Sequence, residues 1–204
     1  FRSSFAACLA ATALATATQD ACGPIPLTPN FDAERYAGTW YQLRKDKSVL
    51  YDLDNSCTTC HYDLSEDGSV AAYNRSYNAA RGYGGVVGKA VESEVTGPGS
   101  LVVAFGEEPD ATLPGNYNVI DTDYDTYAIF WECETRNDYG LDYTFQAYAV
   151  LSRTPTLPQE TLDMIEAKTK ELIPDYDYDY NVIETRQPST CEYSPLPPVQ
   201  EFLN

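Results

Sequence analysis

Histidine is almost missing from this chain: of 204 residues only His61 is one. A nucleophile–histidine–acid relay needs a partnered histidine, and a zinc site needs several nitrogen or sulfur ligands, so His61 alone points to neither. Cys57-x-x-Cys60 has the spacing of half a zinc site or of a redox pair, yet no second cysteine pair follows it and no strand-to-helix setting surrounds it. Metal ligands and catalytic residues are therefore expected to be none. Basic side chains are also scarce, 13 against 31 acidic ones, for a formal net charge of -18. Such a surface repels phosphate backbones and anionic headgroups, which argues against nucleic-acid partners and electrostatic membrane binding. Beyond the N-terminal stretch, no run reaches the roughly 20 apolar residues of a transmembrane helix, so no transmembrane segment is expected.

What is present suits a folded, β-rich domain. Hydrophobic residues make up 43% of the chain and tyrosines number 17, which is enough to bury and too much for disorder. Each tyrosine carries apolar area and one hydroxyl that needs a partner, a combination fitting a semi-polar cavity. The length suits one domain. Phe5 to Ala17 is mostly small and apolar and ends in Ala-Thr-Ala before Thr-Gln-Asp, the pattern of a secretory signal with its cleavage site. Residues 1–17 are accordingly expected to be an N-terminally incomplete signal, residues 18–193 the folded domain, and residues 194–204 a flexible tail. Loss of the signal removes Cys8 and leaves an odd set, Cys22, Cys57, Cys60, Cys133 and Cys191. In an exported protein that suggests two disulfides and one remaining thiol, or an intermolecular link.

Along the chain, the prolines of Cys22 to Pro29 forbid a regular helix or central strand and predict an extended strap. Asn30 or Asp32 can cap a short helical turn, and Gly38 to Leu43 begins the first strand. Strands are predicted at 58–64, 69–77, 86–95, 101–105, 117–121, 127–133 and 143–151. Glu66-Asp67-Gly68, Gly97-Pro98-Gly99 and Asn137 to Gly140 mark turns between them. Gly82 to Gly88 loosens the pattern. Unbroken hairpin order favours one closed barrel over a sandwich. One helix is predicted at about 159–173, where Leu162, Ile165, Thr169 and Leu172 recur at helical spacing between Pro158 and Pro174. The alternating Asp and Tyr residues from Asp175 to Tyr180 predict a solvated edge segment after it.

Three separated segments resemble the signatures of one family. Asn30-Phe31-Asp32 with Tyr36-x-Gly38-x-Trp40-Tyr41 looks like the first lipocalin signature, Thr122-Asp123-Tyr124-Asp125-Thr126-Tyr127 resembles the second, and Arg153 at the end of the last barrel strand resembles the third. Leu151 to Thr161 pulls the likeness toward the apolipoprotein D-like and bacterial-type group. The resemblance covers roughly residues 22–193. It implies an all-β fold, an eight-stranded up-and-down antiparallel barrel forming a calyx, with one C-terminal α-helix packed outside. Gly38, Trp40, Thr122, Asp123, Tyr124 and Arg153 would be structural: Trp40 plugs the closed end while Arg153 lies over its indole. The resemblance also implies the disulfides Cys22–Cys133 and Cys57–Cys191, with Cys60 as the departure.

In that group the positions matching Tyr62, Asn74, Phe105 and Tyr117 look inward onto ligand. Strand parity adds Cys60 to the same interior, and Phe145, Ala147 and Ala149 on the eighth strand share one parity. Where relatives carry bulky aromatics at the last two positions this chain has alanines. That predicts a receding wall and a bulky ligand, unless Tyr148 or loop residues refill the space. Asn74-Arg-Ser76 is formally a glycosylation sequon, but an inward Asn74 would be hard to modify. The expected function is non-enzymatic binding and transport of a small hydrophobic ligand such as a sterol, fatty acid or other lipid, retinoid, carotenoid or bilin, in a secreted, extracellular protein. No cofactor is required, and a bound lipid or pigment is compatible. Two other classes stay open: a lipocalin-like enzyme on a lipid or carotenoid, marked by a reactive cysteine or inward carboxylate, and an extracellular protein-interaction module with an apolar patch around Val49 to Leu53. A homodimer or a protein receptor would suit the latter.

Overall fold

The computed structural model describes residues 22–138 and 140–193; the expected signal and tail lie outside the described residues. Eight strands close into an antiparallel barrel: β1 (Gly38–Asp46), β2 (Asn55–Leu64), β3 (Val70–Asn78), β4 (Gly82–Glu92), β5 (Ser100–Ala104), β6 (Tyr117–Thr122), β7 (Tyr127–Asp138) and β8 (Leu141–Ser152). Each strand pairs with the next, and β1 pairs with both β8 and β2, which removes the sheet's edges there. A short strand β9 (Val182–Glu184) pairs with β1 from outside, at the half of β1 that β2 leaves uncovered. Helices are α1 (Ala33–Tyr36), α2 (Gln159–Leu172) and α3 (Tyr178–Asn181).

Sequence explains most boundaries. The side chain of Asp32, rather than Asn30, caps α1 by accepting from the Arg35 N–H at 3.1 Å. The Gly68 and Gly97 turns have φ of 82° and 98°, which L residues rarely adopt. The β5–β6 seam is short, with only two register pairs. Asn116 extends it with its side chain, accepting from the Val103 N–H at 2.8 Å and donating to the Val103 carbonyl at 3.0 Å.

Two expectations need correction. Gly82 to Gly88 is not a loosened stretch, because β4 starts at Gly82 and pairs with β3 throughout. Two of its four glycines lie against aromatic side chains: a Cβ at Gly85 would come within 2.8 Å of Tyr73 Oη, and one at Gly88 within 2.7 Å of the Phe105 ring. Asp175 to Tyr180 is not an edge segment. Asp177 accepts from the Tyr180 N–H at 3.1 Å and caps α3, so the edge strand begins only at Val182.

The interior holds two cores. One fills the barrel's closed end around Tyr36, Trp40, Tyr62, Val119 and Leu151. The other lies outside, where Ile165 of α2 and Tyr176 bury the outer faces of Ile129, Trp131, Tyr148 and Val150. Tyr148 donates to or accepts from Thr169 Oγ1 at 2.8 Å and packs on the rings of Tyr176 and Tyr178. It therefore anchors the helix and does not refill the space inside Ala147 and Ala149.

Candidate ligand-binding cavity

The closed end is built from the three signature segments. Trp40 has no solvent exposure, donates its indole N–H to the Tyr36 carbonyl at 2.8 Å, and carries the Arg153 guanidinium 3.6 Å above its ring. Arg153 donates to the carbonyls of Tyr124, Thr39 and Arg35 at 2.9, 3.1 and 2.8 Å, joining three segments through one side chain. Gly38, at φ 92°, keeps its backbone close beneath that guanidinium. Asp123 accepts three backbone N–H groups, from Asp125, Thr126 and Tyr127, at 3.1, 2.7 and 3.0 Å. Burial alone would raise its pKa, but those donors hold the carboxyl below the usual range. Thr122 Oγ1 donates to the Tyr127 carbonyl and accepts from the Tyr124 N–H, fixing Tyr124 at φ 69°.

Above this floor opens a cavity of about 1160 Å³. Cys60, Tyr62, Asn74, Phe105, Tyr117, Phe145, Ala147 and Ala149 all line it. Strand alternation brings these positions together from β2, β3, β6 and β8; Phe105 lies one residue past β5, at the rim, and is 49% exposed. At the bottom, Tyr117 Oη sits between Tyr36 Oη at 2.8 Å and Tyr62 Oη at 3.0 Å. Burial pushes all three phenols well above their ordinary pKa and keeps them neutral. Higher on β2 and β3, Thr58 Oγ1 and Asn74 Oδ1 are buried with no hydrogen-bond partner among the described residues. Buried polar atoms without partners are uncommon, and these two belong to residues that line the cavity.

The disulfides Cys22–Cys133 and Cys57–Cys191 are formed, and Cys60 is a buried free thiol. Burial pushes the Cys60 thiol up to about 12 against a lowering contact from Tyr62, so it stays protonated and weakly nucleophilic at neutral pH. His61 faces away from the cavity parity and contacts Thr39 Oγ1 at 2.8 Å and Asp63 at 3.3 Å. Val49 is buried, whereas Leu50 and Tyr51 on the loop between β1 and β2 are 78% and 79% exposed at the open end.

Two charged wall groups escape the sequence reading. Glu132 on β7 shares the inward parity of Ala128 and Phe130 and lines the cavity. Its side chain is 14% exposed and pairs with Arg136 at 3.2 Å. Lys45, on β1, is buried among the carbonyls of Asp52 and Asn55 and the Asp52 carboxylate at 3.5 Å. Burial lowers its pKa against the pull of Asp52. The signal for both was the barrel alternation itself, carried through polar residues.

A barrel closed below by Trp40 and Arg153 and open above, with signature segments joined at its base, matches the family described as lipocalin-like domain over residues 31–187. The chain belongs to the lipocalins. It is 29% identical over 171 residues to apolipoprotein D of Rattus norvegicus, covering 83% of this chain and 84% of that protein. Identity to apolipoprotein D of Bos taurus is 31% over 147 residues, covering 71% and 72%. The Lazarillo protein of Schistocerca americana is 30% identical over 144 residues, covering 70% of this chain and 65% of that one. Among solved structures, insecticyanin from the tobacco hornworm Manduca sexta superposes with a TM-score of 0.69 at 21% identity, over 85% of this chain and 90% of that one. Lobster apocrustacyanin A1 gives 0.63 at 23% identity, over 79% and 83%. Both share this lipocalin's fold. No described helix is long and apolar enough to cross a membrane.

Proposed function

We propose that this lipocalin is an extracellular carrier that holds one small hydrophobic molecule, a lipid or pigment, in the barrel and performs no chemistry on it. The observation that carries this reading is the cavity of about 1160 Å³ with one open end, apolar walls and a few oriented hydroxyl and amide groups. Removing apolar ligand surface from water supplies the affinity, and the polar groups set orientation. Cys60, Tyr62, Asn74, Phe105, Tyr117, Phe145, Ala147 and Ala149 are the proposed contact residues. The two disulfides suit an oxidising, extracellular setting. A protonated Cys60 favours reversible over covalent carriage.

Ala147 and Ala149 make the wall recede, since Tyr148 between them points out to α2. That supports a ligand with a ring system over a single slim chain. Native mass spectrometry with an absorption spectrum, on protein from its natural source, tests the carrier reading. The expected result is a bound mass that leaves on denaturation. A protein empty from its source, and unable to bind a fluorescent apolar dye, would overturn it.

A further inference from the structure

Glu132 stands in the middle of the receding wall. Its Cα partner on β8 is Ala147, and the next inward pair is Phe130 with Ala149, so the recess left by two alanines lies directly beside a carboxylate. Phe130 stacks on Tyr117 with ring centroids 4.6 Å apart, closing the recess below. Arg136 pairs with Glu132 and also with Glu134, and its guanidinium lies 3.6 Å over the Phe145 ring. Two carboxylates thus share one guanidinium, while Lys45 is already engaged by Asp52 and by two carbonyls. Glu134 is not among the cavity-lining residues, so what the recess itself keeps is the Glu132 carboxylate, an acceptor whose counter-ion is shared.

We propose that Glu132 is a polarity filter inside the barrel: it takes the hydrogen-bond-donating end of an apolar ligand, a hydroxyl or ring N–H, and turns away a carboxylate. This rests on the carrier reading and deepens it. A donor end reaching the recess gains a charge-assisted hydrogen bond. A carboxylate there would meet a like charge in a poorly solvated site, and an acid would have to enter tail first with its head at the mouth.

The filter depends on pH. Burial, and then the adjacent Glu134, push Glu132 up to about 7 against Arg136, so it goes from mostly ionised at pH 8 to mostly neutral at pH 6. The other charged or titratable groups around it are Tyr143 on β8, Tyr51 and Asp52 on the loop between β1 and β2, Lys45 on β1, and Cys60 across the cavity. Cys60 is raised by burial and stays neutral over this range, as does the exposed Tyr51 phenol.

Displacement of a fluorescent apolar dye by dodecan-1-ol and by dodecanoate, which share a chain and differ in head group, tests the filter. The preference for alcohol over acid is expected to be at least tenfold at pH 8, to shrink several-fold at pH 6, and to shrink to a similar extent at pH 8 in Glu132→Gln. The pH dependence should vanish in that near-isosteric variant, whose fold is checked by near-UV circular dichroism. A preference unmoved by Glu132→Gln, or a pH dependence surviving in it, overturns the proposal and leaves the carrier reading standing. If neither amphiphile displaces a dye that Ala147→Phe excludes, the filter falls while the carrier stands. Failure of the dye to bind at all removes both.

Discussion

The two ends of the barrel are built on opposite principles. At the closed end Trp40 is fully buried, and Arg153 and Asp123 each make three or more hydrogen bonds to backbone. At the open end Leu50, Tyr51, Leu141 and Phe105 present 78, 79, 73 and 49% of their surface to solvent. Stability is concentrated where the chain crosses itself, and the binding surface is left where few contacts hold it. Backbone groups at the base would otherwise be buried without partners, so the signature residues serve the ladder ends first. The mouth carries no such debt, and its side chains remain open to selection by a ligand.

Breaking the closed end should have the largest effect. Trp40→Ala removes the plug and one face of the Arg153 contact, with an expected cost of about 3 to 5 kcal/mol, read as a fall in Tm. Asp123→Ala leaves three backbone donors at the β6–β7 turn without their acceptor, for a loss of about 1 to 3 kcal/mol at neutral pH. Because the folded-state pKa of Asp123 is depressed, its contribution is present above the unfolded value near 4 and is lost as pH falls through the folded one. The gap between Asp123→Ala and the parent should therefore narrow in acid melts.

Glu132, in the middle, has the reverse sign. Its folded pKa is raised, so its carboxyl favours folding below the unfolded value, about 4.3, and that advantage is lost as pH rises through about 7. Glu132→Gln should gain on the parent between pH 4 and pH 8 by up to ~3 kcal/mol, the raised value already containing the opposing pull of Arg136. At the mouth, Leu50→Ser and Tyr51→Ser should shift stability by less than about 0.5 kcal/mol while altering dye affinity. A mouth variant that unfolds the barrel would collapse the distinction between the two ends.

The closed end was legible through the resemblance to the lipocalin signatures, which Gly38 with Trp40, Thr122 to Tyr124, and Arg153 carry as short, local motifs. Two-residue alternation also carried far, since a closed antiparallel barrel leaves inward positions little freedom. Alternation failed at Asp175 to Tyr180, where period two is mimicked by residues that instead cap a helical turn and bury Tyr176 under α2. Glycines at 82 to 88 hid a strand because the apolar surface covering it comes from Tyr73 and Phe105, one on the neighbouring strand and the other just past β5. Glu132 and Lys45 were invisible for a related reason. Charge on a strand reads as the solvent face, and only Arg136, four residues along the same strand, and the Asp52 loop, brought in by the fold, make their burial tolerable.

The unpaired thiol of Cys60 gives the carrier a built-in gauge of its own cargo. Placed on the cavity wall and held protonated by burial, it can react with a thiol reagent only slowly and only by way of the mouth. Any molecule seated in the barrel stands in that path. The rate of alkylation thus counts empty barrels, and a mixed preparation would resolve into a fast fraction and a protected one without the ligand ever being named.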